Sequence, residues 1–292
     1  MGLWNLLFGG DEKTPEQEQA AEASKKFDLF KYDGVKAMKM GQVDYAVRCF
    51  TEALAIQEDG ECMDYLAQCY MRAGQLDEAM ATLSRLAELV PDNVGVYLQM
   101  ARLAFMQEDY EAMTATCAKA MEIEPESATA HLLNGQALVG QGKMIEAIAM
   151  FTKAISLNEG LGDAYLQRGR LLLAMGDMQS ADADADYLLS VVPDNEDVLM
   201  LKARIEHAKG KAAEAIAIYN KVIDVNPFNA DAYKERGKVK FEQGDTIGAK
   251  EDVEKLLELM PDALSNVSGD YSADGVEHKV KQAYSNLNPF GI

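Results

Sequence analysis

Three histidines, four cysteines and one run of alternating aspartates are the side chains in this sequence most able to do chemistry. His131, His207 and His278 are scattered, and none stands at ligand spacing from a cysteine. Cys49, Cys62, Cys69 and Cys117 form no CxxC pair. Cys62 and Cys69 are seven apart, on one face of a predicted helix, so the cysteines read as buried reduced thiols suited to a reducing compartment. Asp182, Asp184 and Asp186 alternate with alanine. A metal site would need oxygens converging from a loop. A helix sends these three in different directions, and the expectation is a solvated outer helix face. The chain has no Gly-rich phosphate loop, no HExxH and no GxSxG. We therefore expect no enzyme, no cofactor and no metal.

The elements that position side chains are more informative. Pro91, Pro125, Pro193, Pro227 and Pro261 are separated by 34, 68, 34 and 34 residues. Gly142, Gly176, Gly210 and Gly244 keep the 34-residue step, as do Ala147, Ala181, Ala215 and Ala249. Self-similarity at this period marks a stacked-repeat architecture. Seven repeats align, at 27–59, 60–93, 94–127, 128–161, 162–195, 196–229 and 230–263. Each has two apolar stretches of helical period around a short Gly-containing turn. Small residues (Gly34, Ala67, Ala101, Gly135, Gly169, Ala203, Gly237) recur where the first helix must approach its partner. The glycine before the second helix fits a left-handed cap, and the proline closes the repeat.

This pattern closely resembles the tetratricopeptide repeat (TPR) family over residues 27–263. The resemblance implies an all-α fold: a right-handed α-solenoid of seven helix-turn-helix TPR repeats, its concave face lined by the first helix of each pair and binding extended protein segments. Two repeats depart from the pattern. Repeat 94–127 has Glu108 for glycine and Met113 for alanine, offset by the smaller Ala104 and Cys117, which reads as volume exchange in a packed core. Repeat 128–161 ends Asn158-Glu159-Gly160-Leu161 without proline, which leaves either a hinge or an ordinary glycine-capped end.

In the family, residues five, nine and twelve places into each repeat face the groove. Leu98, Leu132, Leu166 and Met200 then make an apolar stripe, with Lys31, Asp64 and Lys234 in the same register. Arg102, Arg170, Arg204 and Lys238 make a basic ladder beside it, together with Val35, Gln68 and Gln136. Phe105 and His207 stand at the twelfth place, and His131 at a large core position. The expected ligand is a protein segment with apolar and acidic side chains, bound at roughly micromolar affinity once association costs are met. The alternative account pairs the arginines with Asp163, Asp197 and Asp231 and spends the apolar residues on packing between repeats. An RNA-binding solenoid using the same ladder is another alternative. So is a co-chaperone, but the family's carboxylate clamp keeps only Lys31 here, with Val35 and Tyr65 where asparagines belong.

The net charge of −20 argues against nucleic acid and anionic membrane as partners. Residues 1–13 are an apolar tip and acidic linker. The tip's Leu3, Trp4, Leu6, Leu7 and Phe8 could fill the chain's own groove, but they are too few to span a bilayer. Residues 14–26 read as a helical extension, opened by the capping box Thr14-Pro15-Glu16-Gln17. Residues 264–292 read as a linker and a C-terminal capping helix, with Val276, Val280, Tyr284 and Leu287 on one face. No secretory signal is evident, and a cytoplasmic location is expected.

Overall fold

Thr14 begins the first helix by closing a reciprocal cap. Its Oγ1 accepts from the Gln17 amide at 3.3 Å, and Gln17 Oε1 accepts from the Thr14 amide at 3.0 Å. Pro15 occupies the first helical position, where no amide is needed. The structure is a computed structural model, and residues 14–261 of it are described. The expected apolar tip and C-terminal capping helix lie outside the described residues.

The chain divides into two compact units, Met1–Gly142 and Lys143–Ile292. The first holds α1 (Pro15–Lys39), α2 (Val43–Ile56), α3 (Gly60–Arg72), α4 (Leu76–Leu89), α5 (Val94–Met106), α6 (Tyr110–Ile123) and α7 (Ala128–Gly140). The second holds α8 (Met144–Leu157), α9 (Gly162–Ala174), α10 (Met178–Val191), α11 (Glu196–Ala208), α12 (Ala212–Val225), α13 (Ala230–Glu242) and α14 (Thr246–Leu259). All regular structure among the described residues is helical, as expected of the solenoid. The residues read as an extension are continuous with the first repeat, in the single 25-residue rod α1.

Glycine makes the turn inside each pair. Gly41, Gly74, Gly142, Gly176, Gly210 and Gly244 all have φ between 72° and 84°. At Gly176 the amide donates to Leu173 O at 3.0 Å and the Asp177 amide to Leu172 O at 2.9 Å. Those two bonds satisfy carbonyls the helix end leaves open. The turn at Glu108, φ 56°, has the same pair of bonds, from the Glu108 amide to Phe105 O and from the Asp109 amide to Ala104 O.

Close packing explains the small residues. A Cβ on Gly34 would lie 2.7 Å from the Phe50 ring, and one on Gly169 would lie 2.9 Å from Leu201. Ala46 and Ala79 in the first unit, and Ala147, Ala181, Ala215 and Ala249 in the second, are fully buried. In the repeat that departs most, Met113 and Cys117 fill one cluster with Ala101, Ala104, Leu133 and Ala137, as volume exchange requires. Within each unit, helices pack on their sequence neighbours. First helices of successive pairs also meet, α1 with α3 and α5 with α7 in the first unit, and α9 with α11 in the second.

The aspartates of α10 do not form a solvated face. Asp184 is 4% exposed and takes Arg168 of α9 at 2.7 Å (Nη2) and 3.0 Å (Nε). Arg168 Nη1 also reaches Thr152 of α8 at 3.1 Å. Asp182 and Asp186 each accept from Lys202 of α11 at 2.6 Å. The helix does send them in different directions, but a cation from a neighbouring helix waits in each. The buried bridge recurs two repeats on, where Arg236 joins Asp252 and Asn220.

The turn without proline is not glycine-capped in the ordinary way. Gly160 is absent from the left-handed set, and Asn158 ends α8 in an extended conformation. Its Oδ1 accepts from the Gly160 amide at 3.0 Å, the same side-chain turn that Asn226 makes to Phe228 across Pro227. Tyr187 of α10 donates to Glu159 O at 2.7 Å and stacks on Tyr165 of α9 at 4.3 Å.

Candidate functional site

The first helices place the register residues, and the two units differ in what those residues offer. In the first unit Arg102 is exposed and makes no ion pair among the described residues. Phe105, one turn on, is 47% exposed and meets Tyr110 edge-on at 6.4 Å between centroids. Leu98 and Gln136 are half-buried, with Leu98 packed on the cluster around Met113. Leu132 is only 8% exposed, so its side chain belongs mainly to the core.

Lys31 is engaged within its own unit, 3.1 Å from Asp59 and 2.7 Å from Glu61. Burial works to lower its pKa, but the two carboxylates outweigh burial and raise it. This cation is neutralised in place, whatever its resemblance to a clamp position.

In the second unit Leu166 is half-buried against the Leu173–Leu201 cluster, and Met200 is 6% exposed inside the next cluster. The apolar stripe is thus largely packing in both units. The cations remain more accessible. Arg170 pairs with Asp197 at 2.6 Å, one of the acidic neighbours the sequence offered, and both side chains are substantially exposed. Arg204 pairs with Glu235 at 3.4 Å and not with Asp231. Arg204 Nε and the Tyr219 hydroxyl are buried without a hydrogen-bond partner among the described residues. Burial raises the Tyr219 pKa. His207 stands 2.6 Å from Glu242.

Lys234 and Lys238 of α13 are half-buried, and neither has a counter-ion among the described residues. Most cations on adjoining positions do: Arg168, Lys202, Lys209, Arg236 and Lys240 are each within 3 Å of a carboxylate oxygen. The 34-residue register identified Lys234 and Lys238. It gave no sign of Glu235, whose pairing depends on a helix one repeat away.

The remaining reactive side chains are structural. All four cysteines are buried and unbridged. Burial pushes the Cys62 and Cys117 thiols up to about 12, with Asp59 adding to the effect at Cys62. His131 is buried and its Nε2 donates to Pro125 O at 3.0 Å. Among the described residues no cluster of His, Cys, Asp and Glu could hold a metal, and no helix is long and apolar enough to cross a membrane.

A tetratricopeptide repeat model matches residues 37–103 and 138–205, and a TPR repeat model matches residues 203–244. No curated protein matches the chain. Many solved structures do. A tetratricopeptide repeat protein from Parabacteroides merdae superposes with a TM-score of 0.68 at 19% identity, covering 90% of this chain and 100% of that one. PilW, a type IV pilus biogenesis factor, gives 0.63 at 21% identity over 76% of this chain and 97% of its own. YrrB, described as a TPR protein with an unusual peptide-binding site, gives 0.52 at 22% identity over 62% of this chain and 93% of its own. At these identities the likeness concerns the fold.

Proposed function

From the premise that the chain belongs to the tetratricopeptide repeat family, we infer that it is a non-enzymatic protein-interaction scaffold whose first helices bind extended, acidic and apolar protein segments. The observation carrying the ligand's chemistry is the Lys234–Lys238 pair. Two like charges one turn apart on a helix disfavour it by roughly 0.2–0.5 kcal/mol. In a chain of net charge −20, acidic residues to relieve them are plentiful, and none is placed to do so among the described residues. An acidic side chain from a partner would. Arg170 adds a cation that the exposed Asp197 carboxylate holds only weakly, since such pairs are worth roughly 0–1 kcal/mol, and Arg204 adds one that lies at a looser 3.4 Å from Glu235.

In the first unit apolar contact comes from Phe105 and the accessible part of Leu98, and less from Leu132; in the second it comes from the accessible part of Leu166, and less from Met200, since the core has taken Leu132 and Met200. Gln136 and Arg102 supply polar contacts in the first unit. A peptide-binding site in YrrB is consistent with this use of the fold. The N-terminal tip, Leu3, Trp4, Leu6, Leu7 and Phe8, is a candidate occupant of the same register and would compete with a partner.

Titrating acidic–apolar peptides by fluorescence tests the reading, with the tip present and with residues 1–10 removed. Lys238→Glu and Arg204→Gln are each expected to weaken binding about tenfold, in line with a lost charge-assisted hydrogen bond. Binding indifferent to both changes would sink the assignment. Tighter binding after removal of residues 1–10 is the expected sign of an occluding tip.

A further inference from the structure

The turn between α12 and α13 presents Phe228 to solvent at 77% exposure, more than any other large apolar side chain among the described residues. Pro227 and Phe228 are the central residues of this turn, which the Asn229 amide closes by donating to Asn226 O at 3.1 Å. The same bond closes the turns that start at Val90, Glu124, Asn158 and Val192. The place of Phe228 is taken there by Asp92, Glu126, Gly160 and Asp194, so Phe228 is the one apolar side chain in the set. Val225 just before it is exposed, as are Val191 and Val192 at the end of α10, one repeat upstream in the same register. We propose that this corner of the second unit docks a basic, apolar segment of a partner protein. The inference does not rest on the groove reading, whose cations stand on the first helices.

A single exposed apolar residue is ordinary on a protein surface. Here four stand at two neighbouring turns, and the most exposed is held rigidly. Glu196 of α11 accepts from Asn226 Nδ2 at 2.8 Å and from Asn229 Nδ2, so one carboxylate ties both ends of the turn. Asn226 Oδ1 accepts from the Phe228 amide at 3.0 Å, and Asn229 Oδ1 accepts from the Ala232 amide at 2.8 Å. The backbone under the ring is therefore ordered before a partner arrives, which removes part of the entropic cost of binding. An aromatic side chain buries roughly 150–250 Å² when it is covered, and Phe228 has most of its own surface still to give.

The charge beside the patch decides the partner. Asp194 in the neighbouring turn and Asp224 next to Val225 are exposed, and neither has an ion pair among the described residues. Lys221 is the only cation on α12. Carboxylates at the rim of an apolar patch favour Lys and Arg on the facing rim, with apolar side chains over the centre. An anionic lipid surface would be repelled, and so would a second copy of a chain that carries a net charge of −20. An amphipathic helix with a lysine-rich polar face meets both demands. Its apolar stripe can admit Phe228 as a knob between neighbouring leucines, while its lysines reach Asp194 and Asp224.

The test titrates the full chain by calorimetry with a short amphipathic peptide of leucine and lysine, and with its counterpart carrying glutamate for lysine. Phe228→Asp is the deciding variant. Asp92 and Asp194 show that the turn accepts aspartate, and the change makes the chain more acidic, so unspecific charge attraction would strengthen. The lysine peptide is expected to bind Phe228→Asp at least about tenfold more weakly than the native chain. Lysine-peptide binding that is absent, or that Phe228→Asp leaves unchanged or tightens, overturns the proposal. So does equal weakening by Ile247→Asp, a comparably exposed residue at the start of α14, because it would mean attraction to any apolar surface. A glutamate peptide that Phe228→Asp weakens as much as the lysine peptide would overturn the basic partner. Self-association of the native chain in sedimentation, lost in Phe228→Asp, would make the occupant a second copy and overturn it too.

Discussion

Glu108 occupies a backbone conformation that six glycines occupy at the equivalent turns. With φ at 56° its Cβ is pressed towards the neighbouring carbonyl, and a non-glycine residue there costs about 1–2 kcal/mol. The turn survives because both of its capping bonds are made. Replacing Glu108 with glycine should relieve the strain, while glycine's greater freedom in the unfolded chain returns part of the gain. The expected net effect is about 0.5–1 kcal/mol of stabilisation, read as a higher denaturation midpoint with an unchanged slope. A lower midpoint would mean that Glu108 makes a contact worth more than its strain. The substitution itself was legible as a departure from the comb. Its φ was legible too, since the turn's geometry is set by the helices on either side and not by the residue that fills it.

At the scale of elements, the sequence made the helix pairs plain and their cross-connections obscure. Proline, glycine and alanine in phase mark where a helix must end, turn and approach, because each of those needs is met by one or two residue types. Interhelical ion pairs carry no such mark. Asp184 reads as one of three solvated aspartates until Arg168, 16 residues upstream, is placed against it. Leu132 and Met200 likewise stand at groove positions by register, but register does not say how much volume the neighbouring repeats leave to be filled. The missing proline shows the reverse. Its absence invites a hinge, but the turn at residues 158–161 is held by Asn158 and by the Tyr187 hydroxyl. Asn158 is already extended, as a residue before proline should be, and the Glu159 amide donates to nothing among the described residues. Glu159→Pro is therefore expected to be tolerated and to stabilise by about 0.4–1 kcal/mol through the unfolded state. Destabilisation in a thermal melt would instead mean that this turn changes conformation and that proline stops it.

Across the whole molecule, the two compact units bury different kinds of polar group. Among the described residues, those buried in the first are Ser127, His131 and Asn134. In the second, apart from the Tyr219 hydroxyl, those described are the carboxylates Asp184, Glu206 and Asp252. Around them Lys202, Lys209 and Lys211 bind Asp182 and Glu206 in one network. Burial by itself would raise the Asp182 and Glu206 carboxyl pKa values, but the lysine hydrogen bonds outweigh it and hold both below their ordinary values. Such a carboxyl adds stability above its unfolded pKa, near 4, and loses that contribution as pH falls through the lower folded value. Once protonated, it also leaves half-buried ammonium groups without their partners, and breaking a buried pair from one side is strongly destabilising. Among the described residues the first unit has one comparable group, Asp59, held down by the Cys62 amide and Lys31 against its burial. Acid should consequently loosen the second unit first. Hydrogen exchange resolved by peptide and corrected for intrinsic rates, from about pH 7 to about pH 3, reads this directly. Segments of α10 to α12 are expected to lose protection at a higher pH than segments of α3 to α6. Simultaneous loss would mean that the units unfold as one cooperative body, and the reverse order would mean that the lysine–carboxylate network contributes little.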